Sequence, residues 1–178
     1  MNGTKLKTIT ALFTILFLLA LPLATISANT PVTLMEVLST TPHPTIAVYN
    51  DTQLSELIAS NGWSGNGTEG NPYVIEGLDI DAHGATNAIF IGSTVQHLII
   101  RGCYLHNTSL SFGSFPFNGN CGATIFNSSN VTLEENVCTG NGRGLALYQS
   151  TNVTVLSTDL VKASRAHAAS SGIIKSAR

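Results

Sequence analysis

Asn130-Val131-Thr132-Leu133 returns 22 residues later as Asn152-Val153-Thr154-Val155. Its neighbours return at the same offset: Ala123 and Ile125 as Leu145 and Leu147, and Cys138 as Leu160. A unit this short cannot bury its own apolar face, so it must stack on a copy of itself. The repeat extends upstream with looser spacing. Val131 and Leu133 align with Leu98 and Ile100, and those with Tyr73 and Ile75. Four columns then run down the chain. They are Tyr73/Leu98/Val131/Val153, Ile75/Ile100/Leu133/Val155, Leu78/Cys103/Asn136/Thr158 and Ile80/Leu105/Cys138/Leu160. Three are apolar throughout, and the third drifts to polar residues. Within each copy the apolar positions alternate, as in strands with one face turned inward. Gly, Asn and Ser mark the corners. The pattern predicts an all-β coil of short parallel strands, about four rungs over these columns, stacked about 4.8 Å apart.

The polar positions are filled by Asn, Ser, Thr and Gly. Charged residues make up only 10% of the 178 and the net charge is −2. That balance excludes a nucleic-acid binder, which needs a basic face, and implies no strongly charged partner.

The N-terminus reads as a leader. Lys5 and Lys7 precede an uncharged apolar run over Thr8 to Ala24, and Thr25-Ile26-Ser27-Ala28 offers small residues for cleavage. Residues 1–28 are therefore taken as a signal peptide and 29–44, with Pro31, Pro42 and Pro44, as a linker. An uncleaved leader would anchor the chain, and it is the one expected membrane contact. Thr45 to Tyr49 fits a short strand. Asn50-Asp51-Thr52 then opens a brief helix in which Leu54, Leu57 and Ile58 share a face, placed to cap the open end of the coil.

Gly65-x-Gly67-Thr68-x-x-Asn71-Pro72-Tyr73-x-Ile75, followed by Asn-Val-Thr rungs, resembles the right-handed parallel β-helix proteins of the pectin-lyase-like superfamily. More narrowly it resembles the NosD-type β-helix repeat proteins of archaeal and bacterial surfaces. The resemblance covers residues 45–160 and implies a right-handed coil. It implies little about activity, because one coil hosts many functions. The paired aspartates of the polygalacturonase-like members are not assembled here, nor are the calcium acids and basic residue of the pectate-lyase-like members. With two Met and five His, the chain also lacks the ligand richness of a copper carrier. No catalytic or copper residue is carried over.

Two groups remain as candidate sites. Asp79, Asp81 and His106, with His83 nearby, fall on outward positions. Asp81 and His106 share a column. Such a pair of carboxylates can hold calcium, the one cofactor considered, and a His–Asp pair can do acid–base work. Between two rungs lies an insertion carrying Phe112, Phe115 and Phe117. With Tyr104 these are the candidate glycan contacts, although the cost of exposing an apolar cluster favours reading the phenylalanines as folding back over a rung. Glu76, Arg101 and Glu134 form an outer charge ladder whose expected role is cross-strand pairing. Sequons stand at Asn50, Asn66, Asn107, Asn127, Asn130 and Asn152. Cys103, Cys121 and Cys138 have no Cys-x-x-Cys spacing and read as small core residues.

After Leu160 the pattern stops, and residues 161–178 hold half of the eight Lys and Arg. They read either as a helical or irregular tail, or as a shifted reading frame that truncates a longer coil. The functional expectation is a secreted or cell-surface, non-catalytic module that binds or presents to polysaccharide or envelope partners. The alternatives are a polysaccharide lyase or hydrolase on the same coil, and an inert fragment.

Overall fold

A computed structural model describes residues 40–110 and 120–161, together with the backbone of two further strands at His167–Ala168 and Ile174–Ala177. Among the described residues fifteen strands and one helix follow in chain order. They are β1 (Thr41–Pro42), β2 (Ile46–Val48), α1 (Asp51–Asn61), β3 (Tyr73–Glu76), β4 (Leu78–Asp81), β5 (Asn87–Gly92), β6 (Leu98–Arg101) and β7 (Tyr104–His106). Then come β8 (Cys121–Phe126), β9 (Ser129–Glu134), β10 (Val137–Thr139), β11 (Arg143–Tyr148), β12 (Thr151–Leu156), β13 (Asp159–Val161), β14 (His167–Ala168) and β15 (Ile174–Ala177).

Every third strand stacks on the last. Sheet 1 runs β1-β4-β7-β10-β13, sheet 2 runs β2-β5-β8-β11-β14 and sheet 3 runs β3-β6-β9-β12-β15. All these ladders are parallel. The chain winds through the three sheets in turn as a right-handed β-helix.

The sequence columns are the register. Tyr73, Leu98, Val131 and Val153 are successive partners in sheet 3, as are Ile75, Ile100, Leu133 and Val155. Ile80, Leu105, Cys138 and Leu160 do the same in sheet 1. Except for Leu160, which is exposed at the last of these rungs, their side chains build one core, with Ile75, Ile80, Ile100 and Leu105 fully buried. Each such side chain contributes about 2 kcal/mol by leaving water. The drifting third column has its reason in hydrogen bonding. Asn136 is buried at the corner, accepts from the Cys103 N–H (3.0 Å) and donates to the Ile100 carbonyl (2.9 Å). A polar side chain there serves backbone groups of the rung before it.

The corner that precedes this column turns on one left-handed residue per rung: Gly77, Gly102, Glu135 and Ser157. Its amide donates to the next rung, as Gly77 N–H to Arg101 O (3.1 Å) and Gly102 N–H to Glu134 O (3.1 Å).

Sheet 2 departs from simple alternation. β5 is buried at all six positions. On its outer side Tyr49, Phe90, Phe126 and Tyr148 stack rung upon rung, with ring centroids 5.2, 6.4 and 5.7 Å apart. Gly92 is needed there, since a Cβ would meet the Phe90 ring at 2.8 Å.

The helix matches its expected place. Asn50 caps α1 by accepting from Gln53 N–H (2.9 Å), and Leu54 and Ile58 enter the core. Asp51 accepts from the Thr94 hydroxyl and from Val95 N–H (3.0 Å), which ties the cap to the coil.

Two boundaries differ from the sequence reading. β1 lies inside the stretch read as a linker, with Thr41 N–H donating to Gly77 O (2.7 Å) and His43 N–H to Asp79 O (2.9 Å). Pro42 falls between these donors, where an edge strand needs no N–H. At the other end, β14 pairs with β11 and β15 with β12, so parallel backbone ladders continue where a helix or an irregular tail had been expected. The leader over 1–28 lies outside the described residues.

Candidate functional site

Sheet 1 turns two outward rows to its surface. One holds Pro42, Asp79, Tyr104 and Val137, and the next holds Asp81, His106 and Thr139. Three of the predicted residues, Asp79, Asp81 and His106, therefore meet on one face, with Tyr104 opposite Asp79 on the next rung. With Pro42, His43, Pro44 and His83 they line a groove of about 480 Å³.

His106 does not pair with its column partner Asp81, as the sequence suggested. It reaches diagonally to Asp79, Nε2 to Oδ1 at 2.8 Å. A carboxylate only accepts, so the Nε2 proton points at Asp79. The Tyr104 ring lies against the imidazole, centroids 4.5 Å apart and planes tilted by 30°. His106 is largely covered while Asp79 keeps an open side to the groove.

Asp81 has its own partners. Its Oδ1 accepts from the His83 backbone N–H (2.9 Å) and its Oδ2 from the Asn107 amide (3.2 Å). The His83 N–H, with Asn107 adding to it, holds this carboxyl below the usual aspartate range against the opposing effect of desolvation. The turn residues His83 and Asn107 both take left-handed backbone.

These bonds bear on calcium. Such an ion wants six or more oxygens, and three of the four carboxylate oxygens here already accept from protein donors. Among the described residues no three His, Cys, Asp or Glu side chains converge as a metal-holding group. The face offers hydrogen-bond acceptors beside a flat ring instead.

His43 was missed by the sequence reading because it fell in the presumed linker. Its ring sits 5.4 Å from that of Trp63, at the rim of the groove. The aromatic stack on sheet 2 was missed too, although Phe126 and Tyr148 stand at the 22-residue repeat that would have revealed it. Phe112, Phe115 and Phe117 lie outside the described residues.

The outer charge ladder forms as predicted. Arg101 binds Glu76 at 2.6 Å and reaches Glu134 at 3.9 Å. The three cysteines are buried and form no disulfide. Burial pushes the Cys103 thiol up to about 11 and that of Cys138 up to about 12, so neither is a ready thiolate.

Comparison with curated proteins and with solved structures gave no match. One family does match, that described as right handed beta helix region, over residues 38–173. That span takes in all three sheets as far as β14, and the chain belongs to the right-handed β-helix region family.

Proposed function

We propose that this chain is an exported, non-catalytic β-helix module that binds polysaccharide along the outer face of sheet 1. The observation that carries this reading is the groove lined by Asp79, Asp81, His43 and His106, in which His106 binds the Asp79 carboxylate and is itself backed by the Tyr104 ring. A sugar ring has apolar C–H faces and a rim of hydroxyls. It therefore suits a flat aromatic surface flanked by acceptors. Parallel rungs add a second fit, since a polymer laid across them meets like positions at a regular spacing. Export is supported by the charged-then-apolar pattern of residues 1–28. A surface location also agrees with the NosD-type resemblance of the rungs.

The competing enzyme reading draws on the same His106–Asp79 pair, which is able to move a proton. Both readings are tested together by passing the secreted chain over a panel of insoluble polysaccharides. We expect retention of at least one polymer with no product released. Tyr104→Ala and His106→Ala should each weaken that retention about tenfold, the loss of a well-placed ring or donor. Retention that ignores both substitutions sinks the groove as the binding site. Release of an unsaturated product absorbing in the ultraviolet would make the chain a lyase.

A further inference from the structure

The six sequons that follow the leader are alike in sequence but not in what the fold does with their amides. Asn130 and Asn152 lie within β9 and β12, and each is followed by a buried valine. Asn152 Nδ2 donates to Asn130 Oδ1 (2.7 Å), and Asn130 Nδ2 donates to the Val95 carbonyl (2.9 Å). Asn127 Nδ2 donates to the Ser93 hydroxyl (3.2 Å) and is followed by buried Ser128. Asn107 Nδ2 donates to Asp81 (3.2 Å) and is followed by buried Thr108. In these four the nitrogen that would carry a sugar already ties one rung to another.

Asn50 Nδ2 has no acceptor among the described residues, but the residue caps the start of α1. Its Oδ1 caps the helix, and the next residue, Asp51, is bound to Thr94 and Val95.

Asn66 differs from all five. It is exposed in the loop between α1 and β3, and Gly67 and Thr68 beside it are not buried. Its Oδ1 accepts from both the backbone N–H (3.2 Å) and the hydroxyl (2.7 Å) of Thr68. Its Nδ2 donates to no group among the described residues. Two donors on the carbonyl oxygen draw electron density from the amide and make its remaining N–H hydrogens more acidic.

We infer that Asn66 is the acceptor of an N-linked glycan, and that the folded coil withholds the four sequons in its rungs. The donor class is a saccharide carried on a lipid diphosphate. Asn66 Nδ2 bonds to the anomeric carbon, the bond from that carbon to the phosphate oxygen breaks, and the lipid diphosphate leaves with the electron pair. One amide proton passes to a base of the transferase. The inference rests on the export reading, because such donors meet chains that cross a membrane.

The test uses the purified full chain, an oligosaccharyltransferase and a lipid-diphosphate saccharide, with occupancy at each sequon read by glycopeptide mass spectrometry. It does not depend on whether the leader is recognised in a cell, so a failure of export leaves it untouched. On the folded chain, Asn66 should exceed each rung sequon by roughly fivefold for every amide hydrogen bond that must open there. Heat-unfolded chain should lose this preference. Thr68→Ala and Asn66→Gln should each remove the dominant product, and Asn130→Gln should not. Equal occupancy at all six sites of the folded chain, or preference for a rung sequon, overturns the inference. So does an Asn66 left bare under conditions that modify the unfolded chain.

Discussion

Two stacks of charge climb the outside of the coil, one on each side of the same corner. On sheet 3, Arg101 lies between Glu76 and Glu134, its partners one rung away on either side. On sheet 1, one corner further along the chain, His106 reaches across a rung to Asp79. Both follow from the same parallel register, and their surroundings separate them. The Arg101 side chain is 45% exposed and that of Glu76 is 53%, on an open flank. The His106 side chain is 15% exposed, under the Tyr104 ring and within a groove. Stacking alone makes a ladder. A ring and a wall are what turn a stacked pair into a surface with something to recognise.

The corner between the two stacks must hold for that contrast to survive. Asn136 does this work, with both ends of its amide committed to buried backbone of the previous rung. Asn136→Ala should cost about 3 kcal/mol, because the Cys103 N–H and Ile100 carbonyl are left unpaired in the core. Urea denaturation measures it. A loss below about 1 kcal/mol would mean that water reaches the corner, and the two faces would then not be rigidly related.

A smaller change separates the stacks directly. Glu76, hydrogen-bonded to Arg101, raises the guanidinium pKa above its ordinary value, yet both groups are well exposed and screened by solvent. Arg101→Ala should therefore cost only about 0.5 kcal/mol at low ionic strength, fading as salt is added. It should leave polysaccharide retention unchanged, unlike His106→Ala. If retention falls as far as it does for His106→Ala, the two stacks act as one site and the distinction drawn between them fails.

Much of the coil could be read from the chain because inward positions stack like on like. The Tyr73/Leu98/Val131/Val153 column is a set of interchangeable apolar side chains, and their alternation carries the register with it. Asn136 broke the Leu78/Cys103/Asn136/Thr158 column instead, because its partners are backbone groups, which have no side-chain identity to repeat. The site was half legible for a similar reason. Column arithmetic placed Asp79, Asp81 and His106 on one face, but not the diagonal reach of His106, which depends on where the Tyr104 ring lies. β1 stayed hidden because two residues, one of them proline, carry no periodicity. β5 stayed hidden because both its faces are covered, so nothing alternates.

The smallest expected effect tests whether Asp81 belongs to the turn or to the groove. The His83 backbone N–H lowers the Asp81 carboxyl pKa in the folded chain. Between that lowered value and the ordinary aspartate value, the unfolded chain binds more protons than the folded one. Stability therefore rises with pH across the window, is fully present above it, and is lost as the pH falls through the folded value. Asp81→Asn keeps an oxygen for the His83 N–H but cannot titrate. The stability difference between the parent chain and this variant should therefore shrink as acid is added from neutral pH. The effect will be slight, since the carboxylate is open to solvent. A difference that stays constant from neutral to acid pH would show that the turn does not favour the ionised carboxylate, leaving Asp81 as free as Asp79 to face a ligand.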